Sequence, residues 1–537
     1  MNHEILTNEL DENTKLLIEK MEKELNSKDD EIRKLKNELN FLKAVITNKN
    51  RKIFGVSSEK ADANQLSFFN EAEKYSDSKV EEPALEEITY KRAKKNTYTG
   101  KKDNLANLER VVIEHKLEGA DLNCKECGEQ LVEIGVKSKK EIIKYIPAKL
   151  IVEEHVIYSY DCKSCEKETS ESNIISAEAP QTIFYNSMAS NELIAHTLIL
   201  KYQHAMPLYR QESYFDMMGA TLSRQTLCNW TMSAAEALKP IYNHMKKELL
   251  SRNYIHADET TLRVINDNGK DSKSQKYMWL YMSDTNSKPV ILYDYQSTRS
   301  SSCPKNFLGD FKGFLQTDGY SGYNSVTKAT RVYCLAHIRR YFHNIIVDLD
   351  EEALKNSRAI IGFNYCKQIY KLEKELRESF SSKDDYYDIR FKIRAEKLAP
   401  IIDNFIDYVE REIKDALPRS PLGKALDYAK KHLPGLKNVL LDGSLEVDNN
   451  AAERAIKPFV IGRKNFLFAN TAKGATASGN IYSIVETAKA NKLVVERYLV
   501  YLFDNLSKID VSDSESLDNL MPWSNKIPEN MKIKDRK

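Results

Sequence analysis

The chain has 537 residues, too many for one ordinary domain, and predicts three or four units. Its 81 Lys and Arg against 79 Asp and Glu leave a net charge of +2, so any nucleic-acid partner must be sought in local charge. Composition excludes a disulfide scaffold, for which eight Cys are too few at this length. It also excludes a membrane span, because no apolar run approaches the ~18 residues one needs. The charged N-terminus is unlike a secretory signal, which places the protein in the cytoplasm.

In chain order, Ile18, Met21, Leu25, Ile32, Leu35, Leu39, Leu42 and Ile46 step by alternating threes and fours, and Lys28 alone breaks the seam. This pattern predicts a coiled coil over 1–50 and self-association of protomers. The other reading is one amphipathic helix packed on its own chain. Residues 51–105 read as a linker. Its acidic stretch, 61–89, gives way to Lys91, Arg92, Lys94, Lys95, Lys101 and Lys102 with no acid between them. Such a run either neutralises phosphates without reading sequence or is a solvated tail, and Lys94 and Lys95 are its candidate DNA contacts.

Residues 106–180 carry two C-x-x-C pairs, Cys124 with Cys127 and Cys162 with Cys165. Four thiolates at the ends of a small sheet close a tetrahedral, structural Zn²⁺ site with no open position for catalysis. Residues 141–156 alternate as strands do. The 34 residues between the pairs exceed the usual zinc-ribbon spacing of about 15–20. The redox alternative lacks a helix opening at either pair.

Residues 181–250 turn helical, with two helices joined at Gly219. Ser223 caps the second and presents Arg224 and Gln225 on its first turn, where helix-turn-helix proteins touch base edges. Plain helical bundles also join helices at Gly.

From Tyr254 the period becomes that of strands. Residues 254–264, 277–282 and 290–295 form an antiparallel meander with an Asn268-Gly269 turn signal. A short helix near 305–311, a strand over 313–317 ending at Asp318, and a strand over 331–334 follow. The order is that of an RNase H-like sheet. Its core is split into 251–340 and 441–505 by a helical insertion over 341–440, and a polar tail follows over 506–537. The fold class is therefore multidomain α+β: N-terminal coiled coil, small zinc knuckle, helical helix-turn-helix-like segment, and an RNase H-like α/β core with a helical insertion.

On that sheet Asp258 and Asp318 lie on neighbouring strands, and Glu453 lies at the start of a later helix. Each has a plain structural role available. Asp258 can cap adjacent Thr residues, Asp318-Gly319 is a turn dipeptide, and Asn450 with Glu453 has capping-box spacing. Together they stand where this order gathers carboxylates into one cluster. Hard oxygen ligands suit Mg²⁺ or Mn²⁺, and two such ions about 3.5–4 Å apart stabilise both oxygens of a phosphodiester displacement. His337, Arg339 and Arg340, and Arg454, Lys457, Arg463 and Lys464, flank the acids as candidate phosphate contacts.

The motifs H-A-D-E-T, L-Q-T-D-G-Y-S-G-Y, C-L-A-H-I-R-R and D-N-N-A-A-E-R-A-I-K-P-F, with R-K-I-F-G-V-S-S-E-K, P-L-Y-R-Q-E and G-R-K-N-F-L-F, run in order along the chain. In them the sequence resembles bacterial DDE transposases of the insertion-sequence family numbered sixty-six. The resemblance covers about residues 16–505 and departs at Leu335, where the family usually has Trp, and at Val56, where a basic residue is frequent. It implies that Asp258, Asp318 and Glu453 are a DDE triad holding Mg²⁺. It further implies double-stranded DNA as partner, small accessory proteins encoded with the element, and a location at the nucleoid. Two other readings stay open: a non-catalytic, zinc-containing DNA-binding regulator, and a structure-selective nuclease of the same fold.

Overall fold

A computed structural model describes residues 20–21, 23–25, 28, 112, 129, 148–161, 174–177, 183–184 and 187–533, except 268–269, 272–273, 285–287 and 348. The four knuckle cysteines, Lys94 and Lys95, and most of the coil seam lie outside the described residues. Residues 148–156, expected to be strand, are not. Their side chains are exposed apart from Leu150, and they form no ladder; the pairing begins beyond them, where β1 (Ser159–Asp161) runs antiparallel to β2 (Ile174–Ser176).

The centre is a five-stranded mixed sheet. β3 (Tyr254–Leu262) pairs antiparallel with β6 (Lys276–Ser283), and β6 pairs antiparallel with β7 (Ile291–Gln296). On the other side of β3, β8 (Phe314–Thr317) and β9 (Thr330–Tyr333) continue in parallel, giving the order β7-β6-β3-β8-β9. In β6, Met278, Trp279, Leu280, Tyr281 and Met282 are all buried, so both faces of the strand are covered and its run is continuously apolar rather than alternating. A second, three-stranded sheet holds β4 (Val264–Asp267), β5 (Lys270–Asp271) and β10 (Ala469–Thr471).

Helices pack both faces. Ahead of the sheet come α1 (Asn191–Tyr202), α2 (Leu208–Met217), α3 (Arg224–Ala237) and α4 (Lys239–Leu250), and the short α5 (Ser302–Leu308) links β7 to β8. Between α2 and α3 the chain turns through Gly219 at φ 87°, a left-handed conformation that glycine adopts without Cβ strain. The side chain of Ser223 accepts from Thr226 N–H and caps α3 as its type predicts. These helices share one apolar cluster with the sheet, running from Phe184 to Ile527.

Strand β7 is an edge, and α13 (Ala472–Ala490) closes it with hydroxyl groups. Ile291 N–H donates to Thr487 Oγ1 (3.0 Å), which donates back to Ile291 O (2.9 Å), and Tyr293 N–H donates to Ser483 Oγ (2.8 Å). The helix therefore satisfies ladder groups that a neighbouring strand would otherwise take.

Between β9 and α12 (Asn450–Phe466) the chain inserts α6 (Leu335–Ile346), α7 (Glu351–Asn356), α8 (Arg358–Phe380), α9 (Tyr386–Ile393), α10 (Ala399–Glu412) and α11 (Pro421–Leu436). They have their own apolar cluster, which Tyr254 and Val332 join to the sheet. The expected polar tail is instead packed. After α14 (Val495–Leu506), α15 (Ser514–Leu520) buries Leu517 and Leu520, Tyr498 Oη donates to Leu520 O, and Asp518 meets His244 Nε2 at 2.6 Å. Few apolar residues suffice there because they fall on one face. Among the described residues no helix is long and apolar enough to cross a membrane.

The inserted helices are held by a buried ionic knot. Glu373, 3% exposed, accepts from Arg390 (2.7 Å) and Arg394 (2.7 Å), both almost fully buried. Arg394 also donates to the carbonyls of Val439, Asp442 and Leu445, and Arg390 to that of Gly443. Burial pushes the Glu373 carboxyl up, and Arg394 and Arg390 outweigh it, so its pKa lies below the ordinary value. Its contribution is therefore present above the unfolded pKa and is lost as pH falls through the folded one. Glu373→Ala leaves two guanidinium groups without their shared carboxylate, and thermal or denaturant unfolding should show a loss of about 3–5 kcal/mol at neutral pH.

Candidate active site

The parallel pairing of β3 with β8 has a constant offset: Tyr254 faces Phe314, Ile255 faces Leu315, and His256 faces Gln316. Two residues further along both strands stand Asp258 and Asp318, at the same level. Side chains two apart share a face, and neighbouring strands lie about 4.8 Å apart, so the two carboxylates belong to one side of the sheet. Asp258 Oδ1 accepts from Glu259 N–H (2.9 Å), and no Thr cap forms. Asp318 Oδ1 accepts from Tyr320 N–H (2.9 Å), so the turn anticipated at Asp318-Gly319 does form and fixes the carboxylate.

The third acid arrives by a lock on the same strand. Asn449, 1% exposed, donates through Nδ2 to Ala257 O (2.8 Å), and its Oδ1 lies 3.0 Å from His256 Nδ1. Its own N–H donates to Cys334 Sγ (3.1 Å). Burial lowers the pKa of His256, leaving a neutral ring whose Nδ1–H donates to the Asn449 oxygen. Glu453 N–H donates to Asn449 O, so Glu453 stands one helical turn beyond the lock. The capping box expected of Asn450 and Glu453 does not form. Asn450 N–H donates to Asp448 Oδ1 (3.1 Å) instead, and Glu453 Oε1 is buried with no hydrogen-bond partner.

Burial, then the charges of Glu259, Asp318 and Glu453, push the Asp258 carboxyl up to about 8. Glu259 is itself occupied by Arg299 (2.8 Å from Nε) and by Tyr323 Oη (2.6 Å). The inserted helices reach the site as well: a Cβ on Gly319 would meet Tyr428 Oη at 2.5 Å and His432 Nε2 at 2.6 Å. The three acids do not converge on one point. Among the described residues, the group whose ligand atoms all lie within 4.8 Å of one another is Cys334, His337 and Glu453. Carboxylates that repel one another, one with an unsatisfied buried oxygen, fit hard divalent cations, and a spread of donors suits two ions better than one.

The cationic candidates divide. Arg340, Arg454, Lys457 and Lys464 are exposed. Arg339 lies over the Phe363 ring at 5.0 Å, and His337 is half-buried beside Glu453. Arg463 is turned back onto β3, donating to the carbonyl of Thr261 and to its hydroxyl (2.9 Å). It lines a cleft with Lys464 and with Arg263, a residue that no sequence motif marks. Arg224 and Gln225 are exposed on α3, Arg224 paired with Glu212 at 3.7 Å and Gln225 donating to Asn229. Asn449, His256, Tyr428 and His432 are likewise site residues that sequence reasoning missed. The D-N-N-A-A-E run held the one signal for Asn449, an amide four residues before an acid at a helix start.

The family model described as "Transposase IS66 family" matches residues 186–477, more than half of the chain. The chain belongs to the IS66 transposase family. A second model, "zinc-finger binding domain of transposase IS66", matches 121–166, the stretch that holds all four knuckle cysteines, so a zinc-finger region is present. A third, "Transposase C of IS166 homeodomain", matches 42–113, including Lys94 and Lys95. Three uncharacterised proteins of Sinorhizobium fredii (strain NBRC 101917 / NGR234) are similar to this chain. The protein y4jD is 29% identical over 75% of this chain and 78% of its own length. The protein y4hP is 27% identical over 77% and 74%, and y4qI is 28% identical over 65% of each.

The Asp258 carboxyl gives a stability prediction. Between its ordinary pKa of 3.8 and about 8, the folded state keeps a proton that the unfolded state has released, so metal-free stability falls as pH rises across that window. Asp258→Asn cannot ionise. Its melting temperature without divalent ions should match wild type near pH 4 and exceed it increasingly towards pH 8.

Proposed function

We propose that this chain is a DDE-type DNA transposase that cuts the ends of an insertion sequence and joins the freed 3′-hydroxyl to target DNA. The observation that carries this reading is the meeting of two independent placements. The β3–β8 register levels Asp258 with Asp318, and the Asn449 lock delivers Glu453 beside the same strand. A sheet of three antiparallel strands continued by two parallel ones is the order expected of an RNase H-like core, which supports this reading.

In this reading Asp258, Asp318 and Glu453 hold Mg²⁺ or Mn²⁺. Such ions, when bound, activate the attacking oxygen and stabilise the leaving one. Exposed Arg340, Arg454 and Lys457 grip the flanking phosphates and orient the scissile bond, and wider contacts from Arg224, Gln225 and the 91–102 run hold the duplex. In the first step a water oxygen bonds to phosphorus as the P–O3′ bond breaks, and the departing 3′-oxygen takes a proton. In the second, that 3′-hydroxyl loses its proton, its oxygen bonds to a target phosphorus, and a target 3′-hydroxyl leaves. The number of phosphodiester bonds is unchanged in the second step, so no energy source is required. The 1–50 coil pairs protomers so that two ends are held together, and Cys124, Cys127, Cys162 and Cys165 hold a structural Zn²⁺.

The test is a strand-transfer assay with labelled DNA carrying the element's ends, a target plasmid and Mg²⁺ or Mn²⁺. Joined product should require the metal and fall at least a thousandfold in Asp318→Asn. Sequence-specific binding without cutting, with accessory proteins supplied, would support the regulator instead; cutting without joining would support the nuclease.

A further inference from the structure

Sharing Glu453 with the three carboxylates is a cluster with different chemistry. Cys334 ends the β9 connection, His337 follows it by three residues on the first turn of α6, and Glu453 comes from the first turn of α12. One ligand atom from each lies within 4.8 Å of the other two. The ligand atoms of a tetrahedral zinc site stand about 3.3–3.6 Å apart, given its bond lengths of about 2.0–2.3 Å, so small rotamer changes would close the group. Two of its polar atoms, His337 Nδ1 and Glu453 Oε1, are buried without a hydrogen-bond partner. Buried polar atoms are usually paired, so two unpartnered ones on residues of one cluster leave both side chains free to act as ligands. Sulfur and imidazole discriminate against Mg²⁺ and favour Zn²⁺ and its neighbours.

We propose that Cys334, His337 and Glu453 form a site for a soft divalent ion of the Zn²⁺ class, and that occupancy of this site competes with the hard-ion site because both use Glu453. Binding replaces the Cys334 S–H bond with an S–metal bond and releases one proton to solvent. Three protein ligands leave a fourth position open, so the ion exchanges more readily than one held by four thiolates. The binding half stands on the cluster alone, whereas the competition half rests on the proposed role of Glu453.

Full-length protein with zinc already in its knuckle is titrated with Co²⁺ and followed by absorption. One further Co²⁺ per chain should bind with a thiolate-to-cobalt charge-transfer band. That band should vanish in Cys334→Ser, and the affinity should drop at least tenfold in His337→Gln. Should the serine variant fail to melt cooperatively, the glutamine variant decides, since His337 is only half-buried. Absence of the extra Co²⁺, or a band unchanged in the variants, would overturn the site. In the DNA-cutting assay, trace Zn²⁺ should raise the Mg²⁺ requirement of wild type. An unaltered requirement in wild type would overturn the competition alone. A protein that binds Co²⁺ as described but never cuts DNA would overturn the transposase reading and leave the site standing.

Discussion

The hydrogen bonds of one buried amide, Asn449, set the geometry on which the site depends. Its side chain joins Ala257 O and His256 on β3, its backbone joins Cys334, and α12 begins at the next residue. A helix entering over a sheet would otherwise be free to slide or rotate on apolar contacts, which are non-directional. Three directional bonds made in a buried setting remove that freedom, and breaking any of them strands a polar group away from water. The position of Glu453 relative to Asp258 is thus fixed by bonds four residues away from it.

The inserted helices serve this lock as well as their own core. The return segment is tied down by Arg390 and Arg394 through the carbonyls of Val439, Asp442, Gly443 and Leu445, then by Glu446 N–H donating to Tyr254 Oη and Leu335 N–H donating to Val447 O. The chain leaves the sheet at β9, makes a long helical excursion, and is guided back residue by residue to β3. Tyr428 and His432 of the same excursion close over Gly319 beside Asp318. The insertion is therefore a wall of the site and a guide for its third acid.

Much of this was legible in the sequence. Strand periodicity located the sheet, Ser223 marked a helix start, and the H-A-D-E-T and D-N-N-A-A-E motifs located the acids. What the sequence hid was hidden for physical reasons. The pairing of Glu373 with Arg390 and Arg394 is invisible because charged residues on helices ordinarily face water, and only tertiary packing buries them. Arg463 reads as a free cation until β3 offers it the Thr261 carbonyl. Asn450 and Glu453 match a capping box by spacing, but Asp448 Oδ1 takes the Asn450 backbone N–H that Glu453 would accept. The tail reads as polar because its few apolar residues, Leu517, Leu520, Met521 and Ile527, are spaced to meet α4 and α14 and are too sparse to signal a core by number.

The hydroxyl groups of α13 along β7 also bear on how copies of the molecule can meet. A bare edge would let a second sheet extend the first, a mode of joining that needs little sequence complementarity and tends not to stop at two. With Thr487 and Ser483 already bonded to Ile291 and Tyr293, that route is closed at this edge. Copies of the chain that meet on this side must then do so through side-chain surfaces, whose fit to one another limits how many join.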